Sequence, residues 1–322
     1  MQGRELAPPG LAQLADRALG FIASARAEST RRAYRSDWDA FASWCGGRGL
    51  SALPAAPGTV ALYLAALATT HKPGSLRRRL TAIGKAHEAA GYESPASTRH
   101  AVVGETLKGI RRTLGTAQAG KRPLLTKEIR TMVEALPENL QGARDRVLLL
   151  MGFAGGFRRS ELAALDVEDV TLCEEGLIVR LRRSKTDQEG QGRLVALPYG
   201  SNPATCPVRA WRKWREQSGI QEGALFRGID RHGALAAGPR GHPLHKDSIG
   251  LIVKRAVQRI GLAPAGYAGH SLRAGLATEA YRNGATEFAI MQQTGHRSAA
   301  TLRRYIREGS LFRDNAAAKL GL

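Results

Sequence analysis

The polar residues toward the C-terminal end of the chain have types and spacing that suit chemistry on a phosphodiester. His270 and Arg273 are three residues apart, so on a helix they lie on one face. His296 follows a glycine, which is typical of a helix end, and Tyr305 lies nine residues further on. Arginine binds two phosphate oxygens at once, imidazole adds hydrogen bonds, and a tyrosine hydroxyl can attack phosphorus. These residues therefore predict a nucleophilic tyrosine beside an anion-binding cluster.

Each of these signals has an ordinary structural explanation when it is taken alone. A His-x-x-Arg pair is usually a solvated helix face, a glycine followed by histidine is often a helix end, and a lone tyrosine is usually packing. The joint order and spacing of all three is what favours a functional interpretation.

This order of motifs resembles the tyrosine recombinases of the phage integrase family, and the resemblance covers nearly the whole chain. That family has His-x-x-Arg, then Gly-His, then a tyrosine about this far on. Upstream, the segment GFRRSEL over residues 156–162 resembles the family's first-arginine motif, with Phe157 where leucine is commoner. A lysine follows where the family's hairpin lysine is expected. The six matched residues are Arg158, Lys185, His270, Arg273, His296 and Tyr305.

The resemblance implies cleavage and rejoining of DNA strands through a 3′-phosphotyrosine and a free 5′-hydroxyl, with no metal and no cofactor. Tyr305 would be the nucleophile, and Arg158 and Arg273 would neutralise the two non-bridging oxygens. Lys185 would be the general acid for the leaving oxygen. Both histidines would add hydrogen bonds, and His270 could assist deprotonation of the phenol.

Glu161 lies about one helical turn after Arg158, and it has two interpretations. It can be an exposed first-turn acid that the helix dipole favours. Alternatively, it holds Arg158 in place through a salt bridge.

The balance of charge points to a polyanionic partner. The formal net charge is +20 and the sequence pI is about 10.7, and lysine and arginine release counterions when they bind phosphates. Residues 1–120 carry +8 and residues 121–322 carry +12. Basicity would also suit a ribosomal protein, but its presence in both halves favours two DNA-contacting domains.

Other features exclude several classes of protein. Cys45, Cys173 and Cys206 are odd in number and lack metal-ligand spacing, which favours a reduced cytoplasmic protein. The N-terminus has no apolar signal region, and the longest apolar run, over residues 147–157, is too short to span a bilayer. No Walker-type loop or magnesium-binding carboxylate cluster is found. We expect a bacterial cytoplasmic, nucleoid-associated protein.

These residues require a scaffold, and the patterns predict a mainly α fold with a small antiparallel β-sheet. We expect an N-terminal helical core-binding (SAM-like) domain over residues 1–113, a linker over 114–124, and an α+β catalytic domain over 125–322. The catalytic domain would end in a tail helix over 310–320. Alternation over 166–198 predicts three antiparallel strands. A buried helix over 145–153 would end at a Gly-Gly break.

The basic helices of the N-terminal half are the predicted DNA-binding elements. Ser29 or Thr30 would cap one helix, and a later helix would expose its arginines together with His87. A helix over 97–114 would turn Val102 inward with its other apolar residues. A charge run is usually only a solvated face, but a basic domain favours DNA contact. The candidates are Arg31, Arg32, Arg35, Arg77, Arg78, Arg79, Lys85, Arg111, Arg112, Lys121 and Arg122.

The resemblance also implies an assembly on double-stranded DNA. The protein would bind paired inverted sites, as a monomer in solution and a homotetramer in the synaptic complex. The tail would dock on a neighbouring protomer or fold back on its own domain. The short N-terminal half suggests a simple, Cre-like recombinase without an arm-binding domain, although His296 stands where Cre has tryptophan. The alternatives are a type IB topoisomerase-like enzyme and a non-catalytic DNA-binding regulator.

Overall fold

The computed structural model describes residues 17, 21, 27–116, 120–182, 191–236, 242–310 and 320. By its internal contacts the chain divides into two compact units, Met1–Ala119 and Gly120–Leu322. Two predicted features lie outside the described residues, namely the position of Lys185 and the tail helix beyond Ser310.

The described part of the first unit is a bundle of helices: α1 (Glu28–Gly46), α2 (Pro57–Leu67), α3 (Pro73–Ala89) and α4 (Ala101–Leu114). Pro57 and Pro73 stand at the first position of their helices, where the missing N–H is not needed. The core is built from Phe41, Tyr63 and Leu64 with aliphatic residues of α3 and α4. Phe41 and Tyr63 pack edge to face, with ring centroids 5.1 Å apart.

Three local predictions for this unit are wrong. Helix α1 begins at Glu28, before Ser29 and Thr30, and no side chain caps it. His87 is fully buried; its Nε2 accepts a hydrogen bond from the Ala55 N–H at 2.9 Å and its Nδ1 lies 2.9 Å from the Ile83 carbonyl oxygen, which offsets the cost of burying the ring. Val102 is 47% exposed, because α4 presents a different face to the core.

The second unit contains the helices and strands that position the candidate site. Its helices are α5 (Thr126–Glu134), α6 (Leu140–Ala154), α7 (Arg159–Ala163), α8 (Pro207–Ser218), α9 (Lys246–Arg259), α10 (His270–Arg282), α11 (Glu287–Thr294) and α12 (Ala299–Ser310). Its strands are β1 (Val170–Leu172), β2 (Gly176–Leu181) and β3 (Arg193–Pro198). The predicted fold class, mainly helical with a small antiparallel sheet, is confirmed.

The strands form an antiparallel sheet in the order β1-β2-β3. Val179 pairs with Val195, and both are buried, whereas Ile178 and Leu194 point to the exposed face. This alternation is the one expected of a sheet that covers a core on one side only. Helix α6 supplies much of that core through a nearly continuous buried segment.

A separate small apolar cluster holds the last three helices together. Ala277 of α10, Ile290 of α11, and Leu302 and Ile306 of α12 are all buried in it. The Thr278 hydroxyl also donates a hydrogen bond to the Tyr305 carbonyl oxygen at 3.0 Å. This packing fixes α12, and with it Tyr305, against α10. No helix in the described ranges is both long and apolar enough to cross a membrane.

Candidate active site

Tyr305 lies against two imidazoles. Its hydroxyl is 2.5 Å from His270 Nε2, and the two rings meet with centroids 5.2 Å apart. The His296 ring also contacts the tyrosine ring, at a centroid distance of 5.3 Å. His270 is the first residue of α10, so the helix start presents it to α12. A phenol in this position has a proton acceptor within hydrogen-bond reach.

Arg273 is the most deeply buried charge of the site, with 1% of its surface exposed. Its Nη1 donates to the carbonyl oxygens of Gly156 at 2.7 Å and Thr294 at 2.5 Å. Its Nη2 is buried and has no hydrogen-bond partner within the described part of the chain. Burial first, and the nearby Arg158 second, lower the pKa of Arg273 to about 10. A buried guanidinium with an unmet donor is a site prepared for an anion.

Arg158 is held by Glu161, as one of the two interpretations of the sequence predicts. The Glu161 carboxylate is buried; one oxygen accepts from Arg158 Nη1 at 2.5 Å and the other from the Arg158 backbone N–H at 2.9 Å. Arg158 is the N-cap residue of α7, so the carboxylate also satisfies the start of that helix. Arg158 Nη2 lies 3.4 Å from the Gly295 carbonyl oxygen, which places it beside the His296 turn.

Two glycines with positive φ allow this close packing. Gly156 has φ of 57°, and a Cβ there would lie 2.6 Å from Leu276 Cδ2. Gly295 ends α11 in the left-handed conformation with φ of 68°, as its position before His296 predicts. A Cβ on Gly295 would lie 2.9 Å from Arg193 Nε, so a larger residue at this turn would displace the Arg193 side chain.

Arg193 is a residue of the site that the sequence reasoning missed. Its Nη1 donates to the Gln293 carbonyl oxygen at 2.9 Å, and its Nη2 lies 3.3 Å from the Thr294 carbonyl oxygen and 3.8 Å from Glu161. Burial lowers the pKa of Arg193. A signal for it exists in the sequence, since residues 193, 195 and 197 share the core face of β3 and only the first is charged.

Thr294 is the second missed residue, and it is fully buried. Its hydroxyl donates to the Ile290 carbonyl oxygen at 2.6 Å and lies 2.7 Å from His296 Nδ1. Burial, followed by the positive charge of Arg273, lowers the pKa of His296 to about 3. His296 is therefore neutral at pH 7 in this structure.

The structure brings together five of the six matched residues and also Glu161. Those five are Arg158, His270, Arg273, His296 and Tyr305. Lys185 lies outside the described residues. Within the part of the chain that the structure describes, three guanidinium groups, from Arg158, Arg193 and Arg273, lie near one carboxylate, that of Glu161, so positive charge is in excess there.

The predicted DNA-binding residues have different environments. Arg31, Arg32 and Arg35 on α1, Arg77 and Arg78 on α3, and Arg111 and Arg112 on α4 are exposed. Arg79 is half-buried and donates to the Tyr63 hydroxyl at 2.7 Å, and Lys85 pairs with Glu88. In the second unit, Lys121 Nζ donates to the Ala265 carbonyl oxygen at 2.6 Å and the Arg122 backbone N–H donates to the Gly266 carbonyl oxygen. Within the described ranges, no group of three histidine, cysteine or carboxylate residues is placed to hold a metal ion.

Comparison with known proteins shows the family to which the chain belongs. The model of the phage integrase family matches residues 122–310, which is more than half of the chain and includes the whole arginine, histidine and tyrosine cluster. The chain belongs to the phage integrase family. An integrase/recombinase XerD homolog from Selenomonas ruminantium is 39% identical over 303 residues, covering 93% of this chain and 87% of the relative. The protein is thus a tyrosine recombinase, as the motif order predicts.

Solved structures of this family share the fold. The XerH site-specific recombinase bound to palindromic difH substrate matches with a TM-score of 0.59 and 18% identity, over 83% of this chain and 72% of that chain. A lambda integrase tetramer bound to a Holliday junction also matches with a TM-score of 0.59 and 18% identity, over 95% of this chain and 79% of that chain. At this identity the likeness concerns the fold alone.

Proposed function

We propose that this tyrosine recombinase performs site-specific DNA recombination with Tyr305 as its nucleophile. The observation that carries the assignment is the buried Arg273 Nη2, which has no hydrogen-bond partner among the described residues and lies in a cluster of guanidinium groups next to the tyrosine. An anion with several oxygens satisfies such a cluster, and a phosphodiester places an electrophilic phosphorus within reach of the phenol.

The proposed reaction is a phosphoryl transfer that conserves the energy of the phosphodiester. The Tyr305 oxygen forms a bond to phosphorus, and the bond from phosphorus to the 5′-oxygen breaks. His270 Nε2, 2.5 Å from the hydroxyl, receives the phenolic proton. Lys185, whose role rests on the family resemblance, protonates the leaving 5′-oxygen. The 5′-hydroxyl of the partner strand then attacks the phosphotyrosine and releases Tyr305.

Arg158 and Arg273 stabilise the charge that builds on the non-bridging oxygens. Glu161, the Gly156 carbonyl oxygen and the Thr294 carbonyl oxygen hold the two guanidinium groups before substrate arrives. Groups that are already oriented need little reorganisation in the transition state, which makes their electrostatic contribution large.

The N-terminal unit is the proposed core-binding domain, with the exposed arginines of α1, α3 and α4 as its phosphate contacts. If a protomer makes roughly 6–10 phosphate contacts, its affinity for DNA falls by about 10³–10⁵-fold between 50 and 200 mM salt. We also propose boundaries of 1–113, 114–124 and 125–322 for the core-binding domain, the linker and the catalytic domain.

The assembly we propose is a homotetramer on two duplexes with paired inverted sites, formed from monomers. The support comes from the lambda integrase tetramer on a Holliday junction and the XerH complex with a palindromic substrate, which share this fold. The segment after α12 would dock on the neighbouring protomer. The proposed location is the bacterial cytoplasm, at the nucleoid.

The Tyr305→Phe variant tests the assignment because it removes only the hydroxyl. We expect normal binding to a half-site and no protein–DNA adduct on a denaturing gel. Tyr281→Phe is the matched control, since Tyr281 packs against the same apolar cluster, and it should form the adduct at the normal rate. An adduct that persists in the Tyr305→Phe variant would show that another residue is the nucleophile.

A plasmid that carries two copies of the target site separates recombination from the alternatives. Recombinant circles support the proposed function, relaxation without recombinants indicates a type IB topoisomerase-like activity, and binding without an adduct indicates a regulator. The expected products are recombinant circles from the wild-type protein and none from the Tyr305→Phe variant.

A further inference from the structure

The hydrogen bonds of Thr294 determine which nitrogen of His296 carries a proton. The Thr294 hydroxyl oxygen lies 2.6 Å from the Ile290 carbonyl oxygen and 2.7 Å from His296 Nδ1. A carbonyl oxygen can only accept, and a hydroxyl has one proton. The threonine therefore donates to Ile290 and must accept from Nδ1. The opposite arrangement would leave two oxygens 2.6 Å apart with no proton between them.

We infer that Thr294 is a positioning residue that holds neutral His296 in the Nδ1–H tautomer. The Nε2 atom, on the far side of the ring from Thr294, then has a lone pair and cannot donate a hydrogen bond. His296 consequently donates to the scissile phosphate only after it takes up a proton. The tautomer stands on geometry alone, whereas the phosphate contact rests on the proposed function.

The charges around His296 explain why this proton arrives with the substrate. Arg273 and His270 face the ring from α10, Arg158 faces it from the start of α7, and Arg193 faces it from β3. Tyr305 contacts it from α12. Burial first, and the positive charge of the three arginines after it, oppose protonation and hold the pKa of His296 at about 3. A phosphate anion placed between the arginines offsets the repulsion, so DNA binding is coupled to proton uptake.

Thr294 stabilises the protonated form as well, because an imidazolium keeps its Nδ1–H. The same hydrogen bond then becomes charge-assisted and stronger. Replacing threonine with valine removes this acceptor and leaves a side chain of similar shape. In that variant the Nε2–H tautomer becomes accessible, so His296 can donate to phosphate without gaining a proton.

The first test observes the tautomer in the DNA-free, full-length protein. Long-range ¹H–¹⁵N NMR spectra of protein labelled with ¹⁵N-histidine distinguish the two neutral tautomers and the cation. The chain contains eight histidines, and the spectrum of a His296→Asn variant identifies the signal of interest. We expect Nδ1–H at pH 7. An Nε2–H signal, or a cationic ring, overturns the inference whatever the activity of the enzyme.

The second test compares Thr294→Val with Thr294→Ser, which keeps the hydroxyl and loses only the methyl group. The serine variant should retain the Nδ1–H signal, and the valine variant should lose it. Single-turnover cleavage is then measured against pH. The serine variant needs a protonated His296 for cleavage, whereas the valine variant does not. Above the pKa of the DNA-bound His296, we therefore expect the cleavage rate of the valine variant divided by that of the serine variant to rise by up to about tenfold per pH unit.

The ratio cancels the titration of His270 and Tyr305, which both variants share. A residue that only supports packing would lower both rates at every pH and leave the ratio flat, and a flat ratio overturns the inference. Thermal melting checks that both variants fold, and if the valine variant does not, the wild-type and serine spectra still decide the tautomer. Failure of the proposed function would abolish adduct formation in every variant but would leave the tautomer result unchanged.

Discussion

The two units each contain a cluster of arginines around one buried carboxylate, but the clusters differ in how well their charges are matched. In the N-terminal unit, Asp37 accepts two hydrogen bonds from Arg78, at 2.7 and 3.0 Å. Arg79 donates to the Tyr63 hydroxyl and lies 3.8 Å from the same aspartate. Hydrogen bonding to Asp37 raises the pKa of Arg78. In this cluster the Asp37 carboxylate stabilises the positive charge of Arg78.

The arginine cluster of the candidate active site differs in this respect. Arg158, Arg193 and Arg273 share Glu161, and most of their remaining bonds go to backbone carbonyl oxygens. Burial lowers the pKa of both Arg193 and Arg273, and the nearby positive charge of Arg158 lowers both further. Among the described residues, the guanidinium groups of this cluster therefore outnumber the carboxylates near them.

The comparison shows that the hydrogen-bond partners of an arginine determine how well its positive charge is matched. Both units are rich in arginine, yet Asp37 accepts two hydrogen bonds from Arg78 in one cluster, whereas Arg273 Nη2 in the other has no hydrogen-bond partner among the described residues.

The largest expected effect comes from Arg273. Arg273→Ala should reduce single-turnover cleavage by at least about 10³-fold, since an oriented donor to the transition state is lost. Arg158→Ala should have a similar effect. Arg282→Ala, on the exposed end of the same helix, is the control and should cleave normally. Cleavage near the wild-type rate by the Arg273 variant would mean that the cluster is not the phosphate site.

Arg193 should have the next largest effect. Arg193→Met removes the bonds to the last carbonyl oxygens of α11 and loosens the turn before His296. We expect cleavage to fall by about 10–100-fold, because small displacements of reacting groups are costly. Arg193→Lys keeps the positive charge but loses the paired N–H donors of the guanidinium group, so its cleavage rate should lie between those of the methionine variant and the wild type. Equal rates for the lysine and wild-type proteins would show that charge alone matters there.

Acid stability gives a prediction of intermediate size. The pKa of His296 is about 3 in the folded protein and 6.5 in the unfolded chain, so the unfolded chain binds more protons between these values. Stability is therefore lost as pH falls below 6.5. Between pH 7 and pH 5, His296→Gln should lose about 2 kcal/mol less unfolding free energy than wild type. Urea titrations at both pH values measure this, and identical losses would contradict the low pKa.

The smallest effect is expected in the N-terminal cluster. Arg78→Met leaves buried Asp37 without its two short hydrogen bonds and should lower the unfolding free energy by about 1 kcal/mol. Arg77→Met, one residue away on the exposed face of α3, should leave stability unchanged. Chemical denaturation of both variants makes the comparison. Equal stabilities would mean that the Asp37 pair contributes no net stabilisation.

Much of the fold and of the site follows from local pattern. Apolar alternation is enough for the sheet, because one buried face imposes a period of two. The glycine before His296 marks a helix end, because it adopts a backbone conformation that other residues resist. The arginines, histidines and tyrosine of the candidate site are recognised from residue type, order and spacing, all of which are visible along the chain.

Packing between distant segments decides the rest. Arg193 and Thr294 are about a hundred positions apart, and they meet because β3 lies against the end of α11. The sequence pattern predicts that His87 is a surface residue, but in the structure it is buried and accepts a hydrogen bond from the Ala55 N–H of another segment. Arg78 and Arg77 are equivalent in sequence, but only Arg78 faces Asp37. Hydrogen bonds and burial of this kind depend on residues that are distant in sequence and close in space, and the local sequence pattern does not indicate which residues those are.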